Sequence, residues 1–191
     1  MSKFLIVGLG NIGAEYANTR HNIGFDIADL LAEKIGATFS NGRLAYVAEG
    51  SFKGKKLVII KPTTYMNLSG RAFRYWQEKE KIPVENTLTI VDDLALPLNK
   101  IRFRPSGSSA GHNGLRDIEL ALGNDIYPKL RFGIGSDFPK GGQVDFVLGK
   151  WKTEELPIVK AKSETAVNAI LDFCKMGLDF AMNNYNKLVI K

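Results

Sequence analysis

The sequence predicts a single α/β domain with three layers, in which helices flank a mixed, largely parallel sheet. Two observations predict this class. Short apolar runs that end in Gly, Pro or Asp alternate along the chain with amphipathic stretches of helical period. The chain also has 191 residues without an internal repeat, a low-complexity segment or a linker, which is an ordinary size for one domain with its own core. We therefore expect one domain over residues 1–191.

Seven apolar runs predict the strands. The four clearest are almost wholly apolar and bounded by turn residues, which is typical of strands buried on both faces. They are FLIVG (4–8), KLVIIK (56–61), TLTIVD (87–92) and KLRFGIG (129–135). Three weaker patterns add LAYVAEGSF (44–52), KIRFR (100–104) and VDFVLG (144–149).

Four amphipathic patterns predict the helices, at 24–36, 69–81, 114–123 and from about Thr153 to Asn184. Thr153 is followed by acidic residues, so we interpret it as the N-cap of the last helix. The stretch GSDFPKGGQ (135–143) contains three Gly and a Pro. We interpret it as a long turn, with a mobile lid over a binding site as the alternative.

Composition limits the function classes. Lys and Arg number 26 against 20 Asp and Glu, a net charge of +6, which is compatible with a nucleic-acid partner but does not require one. The only cysteine, Cys174, lies in a helical pattern, so we expect it to be buried in a reduced cytoplasmic protein. Neither a secretory signal nor a membrane span is predicted. One Cys and two His without an evident ligand cluster predict no metal site.

The segment GLGNIG (8–13) fits the G-x-G-x-x-G fingerprint of dinucleotide-binding proteins. In that motif the glycines lead directly into a helix whose N-terminus binds the pyrophosphate. Here the next residues, 14–22, carry no helical stripe, and no acid closes a second strand about 20 residues further on. An NAD-dependent enzyme is therefore a distant alternative.

Both histidines of the chain precede an asparagine in a Gly-rich polar segment: His21 in RHNIG (20–24) and His112 in SAGHNGLRD (109–117). Histidine is the side chain that most readily transfers protons near neutral pH, so these segments suggest catalysis. Turn or cap residues are the alternative interpretation. In open α/β sheets, ligands bind beyond the carboxyl ends of the strands. Five polar residues that follow predicted strands are expected to face one such crevice: Asn11, His21, Asn67, Asp92 and Asn113.

Asp92 is the best-placed partner for a catalytic histidine, because it ends a buried strand and a base needs an acceptor for its other ring nitrogen. A turn initiator or a helix cap is the alternative. The chain has no G-x-S-x-G nucleophile motif, which favours a base that activates water directly. The asparagine amides would then hold an amide-containing substrate and stabilise an oxyanion without adding charge.

Three arginines are expected on one face of two strands. Arg102 and Arg104 alternate around Phe103, and Arg131 lies in another strand. Guanidinium groups arranged in this way suit phosphate, so we interpret them as a phosphate clamp. The alternative is a solvated edge strand that is kept charged against aggregation.

Taken together, several segments resemble the bacterial-type peptidyl-tRNA hydrolase family, from the N-terminus to about Trp151. They are IVGLGNIGAEYANTRHNIGF (6–25), KPTTYMNLSG (61–70), TIVDDLALP (89–97), SAGHNGLRDI (109–118), RFGIG and DFVLGKW. The resemblance implies hydrolysis of the ester between a peptide, or an N-blocked amino acid, and the 3′ end of tRNA, which is freed for translation. It implies no metal or organic cofactor. The partner is the tRNA acceptor end, without a membrane, and a monomer is expected.

The same resemblance assigns roles by position. His21 matches the catalytic base, Asp92 the carboxylate that holds it, and Asn11 the residue that discriminates blocked from unblocked aminoacyl-tRNA. The substrate-binding positions are matched by Tyr16, Tyr65, Asn67 and Asn113. The basic positions that hold tRNA phosphate are matched by Arg102, Arg104 and Arg131. His112 is then a supporting loop residue and not a second base.

Two departures from the family pattern are visible. Asn11-Ile12-Gly13 stands where the family usually has Asn-Pro-Gly, and Leu94-Ala95 stands where acids are common. Neither departure involves the base or its partner. The main rival from another class is an RNA-binding descendant without catalysis. The joint presence of His21, Asp92, Asn11 and Asn113 argues against it, because a binding module needs neither a base nor its orienting acid.

Overall fold

A seven-stranded sheet forms the middle layer of the computed structural model, which describes residues 1–191. Its strands are β1 (Lys3–Gly8), β2 (Ser40–Asn41), β3 (Ala45–Phe52), β4 (Lys55–Pro62), β5 (Thr87–Asp93), β6 (Ile101–Arg104) and β7 (Lys129–Gly133). Their order across the sheet is β2-β3-β4-β1-β5-β7-β6. The central pairs β4–β1, β1–β5 and β5–β7 are parallel, and the outer pairs are antiparallel. The predicted α/β class with a mixed sheet is confirmed.

Helices cover both faces of this sheet. They are α1 (Ile23–Lys34), α2 (Ser69–Lys79), α3 (Asn113–Leu122), α4 (Gln143–Val147), α5 (Leu156–Met176) and α6 (Leu178–Tyr185). A core cluster of 26 buried residues lies on the face of α1, α5 and α6, and a second cluster of 16 lies on the face of α2 and α3. Phe4 and Ile6 of β1 point into the first cluster and Leu5 and Val7 into the second, which explains the unbroken apolar run.

The connection from β1 to α1 brings the helix unusually close to the strand. A Cβ on Gly8 would lie 2.2 Å from the carbonyl oxygen of Gly24, so only glycine fits there. Between them the chain makes two short 3₁₀ turns, Ala14–Tyr16 and Arg20–Asn22. The dinucleotide fingerprint requires its glycines to lead directly into an α-helix. GLGNIG does not do so, because the two 3₁₀ turns separate it from α1.

The weak strand prediction at 144–149 is wrong, because residues Gln143–Val147 form helix α4. The six-residue pattern VDFVLG alternates in polarity at its start, yet it also places Val144, Val147 and Leu148 at helical spacing. These three side chains line one cavity, and a strand would not bring them together in this way. The preceding stretch, 134–142, contains turns but neither helix nor strand.

The predicted C-terminal helical region consists of a 3₁₀ turn, Thr153–Glu155, followed by α5 and α6. Thr153 is not the N-cap; that position belongs to Glu155, whose carboxylate accepts the backbone N–H of Lys152 at 2.7 Å. Helices α5 and α6 are separated at Gly177, whose φ of 95° is a conformation that side chains with a Cβ rarely adopt.

Two groups on the α5–α6 side are buried and titratable. The Nζ atom of Lys162 donates hydrogen bonds to the carbonyl oxygens of Leu98 and Gly133, and burial lowers its pKa to about 7. Cys174 is buried as predicted, and burial raises the pKa of its thiol to about 12. Lys162 therefore braces the segment that follows β5, whereas Cys174 fills space in the core.

The edge strand β6 is closed by a side chain from the C-terminal segment. The Asn186 amide accepts the backbone N–H of Phe103 at 2.7 Å and donates to its carbonyl oxygen at 3.1 Å. Ile190 adds a backbone hydrogen bond to Asn99 at 2.9 Å. Separately, none of the six helices combines the length and the apolar character that a bilayer crossing requires.

Candidate active site

A cavity of about 600 Å³ opens beyond the carboxyl ends of the parallel strands, where the sequence predicted a crevice. Eight of the ten predicted site residues line it: Asn11, Tyr16, His21, Tyr65, Asn67, Asp92, Asn113 and Arg131. Arg102 and Arg104 lie outside it on β6. A larger open groove of about 720 Å³ lies between α2 and α3, but no histidine lines it. Chemistry, and not size, therefore identifies the candidate site.

Asp92, near the end of β5, is the buried centre of the site. The Nδ1 atom of His21 lies 3.0 Å from each carboxylate oxygen of Asp92. The Nε2 atom of His112 lies 3.0 Å from Asp92 Oδ1 on the other side. The two imidazole rings are tilted by 42°, with their centroids 4.9 Å apart. One carboxylate thus bonds both histidines of the chain.

The ionisation of Asp92 determines where the hydrogens lie. Burial raises the pKa of this carboxyl, but the opposing effect of His112 and His21 is larger, and the net pKa lies well below its ordinary value. An ionised carboxylate only accepts hydrogen bonds. Both histidine nitrogens that face Asp92 therefore carry a hydrogen, and neutral His21 is left with an unprotonated Nε2.

His21 itself is partly buried in the cavity wall. Burial lowers its pKa, yet the hydrogen bond and the charge of Asp92 outweigh that effect, so the net pKa is raised above its ordinary value of 6.5. A raised pKa makes the free Nε2 a stronger acceptor of protons. This is the property that a general base requires.

His112 is held differently, because it also caps helix α3. Its Nδ1 accepts the backbone N–H groups of Gly114 at 3.1 Å and Leu115 at 3.3 Å. Nδ1 therefore carries no hydrogen, and the Nε2–H group donates to Asp92. Both ring nitrogens are occupied, so His112 has none left for substrate. The sequence indicated a supporting loop residue but carried no sign of the contact with Asp92.

Asn11 presents its amide in a fixed orientation. Its Oδ1 accepts the backbone N–H of Met66 at 3.2 Å, which leaves the Nδ2 hydrogens for a ligand in the cavity. Its backbone is held by the buried side chain of Asn22, which accepts the N–H of Asn11 and donates to its carbonyl oxygen, both at 2.8 Å. Sequence reasoning left Asn22 without a role, since only its position beside His21 marked it.

Three of the other predicted substrate-binding residues are exposed at the rim, and the fourth, Tyr16, is partly buried. Tyr65 is 73% exposed, and Asn67 lies in the 3₁₀ turn Met66–Leu68. Asn113 is the first residue of α3, so its side chain stands at the positive end of that helix dipole. These groups surround the cavity without being consumed by internal hydrogen bonds. They are free to contact a ligand.

The arginines form two subgroups. Arg131 is anchored beside the cavity: its Nη2 donates to the carbonyl oxygen of Ser108 at 3.0 Å, and its Nη1 lies 4.0 Å from Asp93. Arg102 is its register partner on β6, so the two side chains share a face. Arg104 lies on the same face and is exposed. The result is a basic surface that begins at the cavity and extends outward along β6.

Sequence spacing predicted no cluster of metal ligands, yet the ligand atoms of His21, Asp92 and His112 lie within 4.8 Å of one another. Their hydrogen bonds account for the grouping. A cation would need His112 Nε2 without its hydrogen, which would place a hydrogen on Nδ1 against the N–H groups of Gly114 and Leu115. The three side chains therefore fit a hydrogen-bonded group centred on the Asp92 carboxylate better than a metal site.

Comparisons with known proteins agree with this geometry. The family model described as peptidyl-tRNA hydrolase matches residues 5–191. The chain belongs to the peptidyl-tRNA hydrolase family. The peptidyl-tRNA hydrolase of Phocaeicola vulgatus is 54% identical over 97% of this chain and 99% of its own length, and that of Porphyromonas gingivalis is 50% identical over 96% and 100%. A crystal structure of peptidyl-tRNA hydrolase from Acinetobacter baumannii has a TM-score of 0.92 at 34% identity, covering 97% of this chain and 95% of that one.

Membership in the peptidyl-tRNA hydrolase family makes the chain an enzyme of translation that acts on peptidyl-tRNA. The apolar part of its cavity is formed by α4 and by the segment after β5, with contributions from Leu94, Ala95, Val144, Val147 and Leu148. An apolar wall beside amide and imidazole groups suits a peptide better than a nucleotide. Sequence reasoning missed this wall, because it treated 144–149 as a strand.

Proposed function

We propose that the chain hydrolyses the ester that joins a peptide, or an N-blocked amino acid, to the 3′ end of tRNA, with His21 as the general base that activates water. The observation that carries the proposal is the arrangement of His21. Its Nδ1–H group is held by ionised Asp92 at 3.0 Å, and its other nitrogen is free in a side chain that lines the cavity.

In the first step, His21 Nε2 takes a proton from water as the water oxygen attacks the ester carbonyl. The carbonyl π electrons move to oxygen, which gives a tetrahedral oxyanion. Amide N–H groups of the asparagines that line the cavity, Asn11, Asn67 and Asn113, stabilise this charge without a competing cation. Asp92 stabilises the imidazolium that forms and remains ionised itself.

In the second step, the oxyanion collapses and the bond to the ribose oxygen breaks. The protonated His21 gives its proton to the departing ribose oxygen, so the base is regenerated. The products are a free carboxylic acid and a tRNA with an intact 3′ end. No group other than water, the ester and His21 changes its bonds.

Asn11 is proposed to discriminate blocked from unblocked substrates. Its Nδ2 hydrogens are oriented by the Met66 N–H bond and donate to a carbonyl of the peptide. A free α-ammonium group presents donors where an amide presents a carbonyl, so Asn11 would gain no acceptor from it. Tyr16 and Tyr65 supply contact surface at the rim.

The basic surface formed by Arg102, Arg104 and Arg131 is proposed to bind phosphates of the tRNA acceptor end. Arg102 and Arg104 lie outside the cavity, as phosphates some distance from the ester require. Replacing both with Gln should weaken tRNA binding and reduce the slope of log Kd against log salt by ~1 per lost phosphate contact. Fluorescence anisotropy at several salt concentrations measures this. An unchanged slope contradicts the assignment.

The deciding experiment compares N-acetylated with free aminoacyl-tRNA as substrates for the intact chain. Release of amino acid from the N-acetylated form alone is expected. Cleavage of both forms at similar rates would contradict the role of Asn11. Binding of tRNA without cleavage of either form would favour the rival, an RNA-binding protein without catalysis.

A further inference from the structure

Arg20, the residue before the proposed base, is buried and bridges to a distant part of the chain. Only 4% of its surface is exposed. Its Nη1 donates to the carbonyl oxygen of Phe146 at 3.1 Å, and its Nη2 donates to Glu155 Oε1 at 3.1 Å. Phe146 belongs to α4, and Glu155 precedes α5. The bonds therefore join the turn that carries His21 to the segment that forms the apolar wall.

Further contacts make this bridge specific to a guanidinium group. The Arg20 Cζ atom lies 4.1 Å from the centre of the Phe146 ring and 5.5 Å from that of Trp151. A planar, forked cation contacts the two acceptors and the two rings together, which a lysine ammonium does not. The backbone N–H of Arg20 donates to the carbonyl oxygen of Gly149 at 3.0 Å, a bond that does not depend on the side chain.

The wall that Arg20 holds is built on a short and partly exposed helix. Helix α4 is five residues long, and none of its residues is fully buried. It follows the Gly-rich stretch 134–142 and ends two residues before Gly149. Phe146 and Val147 pack partly buried against the main core cluster, and Arg20 adds the buried charged contact that ties this helix to the turn carrying His21.

We propose that Arg20 is a positioning residue that sets the distance between the α4 wall and His21, and thereby the width of the space for the peptide part of the substrate. The proposal rests on the proposed function. His21 keeps its own bond to Asp92, which does not involve Arg20. Loosening the bridge should therefore weaken substrate binding more than proton transfer.

Two conservative substitutions test the bridge. Arg20→Lys keeps the positive charge but loses the fork, and Glu155→Gln keeps an oxygen acceptor but loses the negative charge. With N-acetylaminoacyl-tRNA, each is expected to raise KM about tenfold while kcat changes less than about threefold. The acid limb of the pH profile of kcat should stay in place, because the pair of His21 and Asp92 is untouched.

Asp137→Asn is the matched control. It removes the exposed ion pair of Lys152 with Asp137, in which Asp137 is 90% exposed and the distance is 3.2 Å. This pair lies in the same region but does not contact Arg20. The control should leave KM and kcat unchanged.

A third variant guards against misfolding of the first two. A Cβ at Gly149 would lie 3.0 Å from both Arg20 Nη1 and the carbonyl oxygen of Asp145, so Gly149→Ala crowds the junction of the guanidinium group with α4 without removing either and should also raise KM. An unchanged KM in the folded variants, or a fall in kcat with a constant KM, overturns the proposal. Wild-type activity is measured in the same series. If the wild type does not cleave the substrate, the proposed function fails. If the wild type cleaves it and the variants have the same KM as the wild type, the inference about Arg20 fails and the proposed function stands.

Discussion

The two His-Asn pairs of the chain divide their work in opposite ways. In the first pair, His21 lines the cavity and Asn22 is buried, where it holds the backbone of Asn11. In the second pair, His112 is fixed by the backbone of α3, and Asn113 stands exposed at the cavity. The same two residue types thus exchange the roles of ligand contact and internal brace.

Contact with Asp92 does not distinguish the two histidines, since both lie 3.0 Å from its carboxylate. The ring nitrogen that faces away from Asp92 distinguishes them. That of His112 accepts two backbone N–H groups, whereas that of His21 has no protein partner. The environment of the second nitrogen therefore separates a base from a brace, and each prediction below probes one side of this difference.

The largest effect is expected at His21. His21→Ala removes the only imidazole nitrogen that is free to take a proton, so kcat should fall by ~10²–10⁴-fold. Binding of tRNA should stay within about twofold, because the basic surface is unchanged. Single-turnover rates and anisotropy measure the two quantities. An equal loss of binding and turnover would contradict the assignment of His21 as base.

Asp92→Asn should be the next most severe change, with kcat lower by about 10²-fold, because His21 loses its ionised acceptor. The pH profile carries the sharper signature. Asp92 raises the pKa of His21, and the base acts when unprotonated, so wild-type kcat falls as the pH drops through that raised pKa. In the variant this limb should move to lower pH. A limb that stays in place would show that another group titrates.

Asn113→Ala should affect binding more than stability. Its side chain is exposed at the cavity and closes no internal hydrogen bond, so its loss is expected to lower kcat/KM by about tenfold and to leave the melting temperature nearly unchanged. Steady-state kinetics and thermal unfolding test this. A drop in stability without a change in kcat/KM would reverse the roles inferred for the second pair.

The smallest effect is expected at His112, and it separates two functions of one ring. His112→Asn retains a good N-cap for α3 but does not reach Asp92, so the buried carboxylate loses one partner and we expect a modest loss of stability and a kcat only a few-fold lower. His112→Ala loses the cap as well, which should cost about 1 kcal/mol of unfolding free energy. Chemical denaturation and kcat measure both. A loss as large as that of His21→Ala would make His112 a second base.

Several parts of the molecule could be predicted because their signals are local. The central strands β1, β4, β5 and β7 are apolar runs bounded by turn residues, and their carboxyl ends fix where a ligand site lies. His21 and Asp92 could be paired for the same reason, since His21 follows β1 and Asp92 lies near the carboxyl end of β5. The residue types of His21 and Asp92, together with their places at the carboxyl ends of strands, are sufficient to predict that the two side chains meet.

The remainder depends on side-chain orientation between distant residues, which spacing does not encode. The bond from Arg20 to Glu155 spans 135 positions, and nothing in either segment indicates the other. Asn22 lies 11 positions from Asn11, but a buried clamp and an exposed ligand contact have the same sequence signature. Helix α4 was not predicted, because the six residues of VDFVLG fit the strand period and the helical period equally well.

The hydrogen bonds from the Asn186 side chain to Phe103 of β6 limit the pairing of this edge strand with other chains. An edge strand offers unpaired backbone groups on which another chain can build a further strand. Asn186 occupies both outward-facing groups of Phe103, so a foreign strand finds no template there. Because Phe103 lies between Arg102 and Arg104 on a strand of four residues, these bonds block the middle of this edge, and the two arginines leave charge on either side of the blocked residue. One side chain thus makes this edge of the sheet a poor site for the addition of another strand.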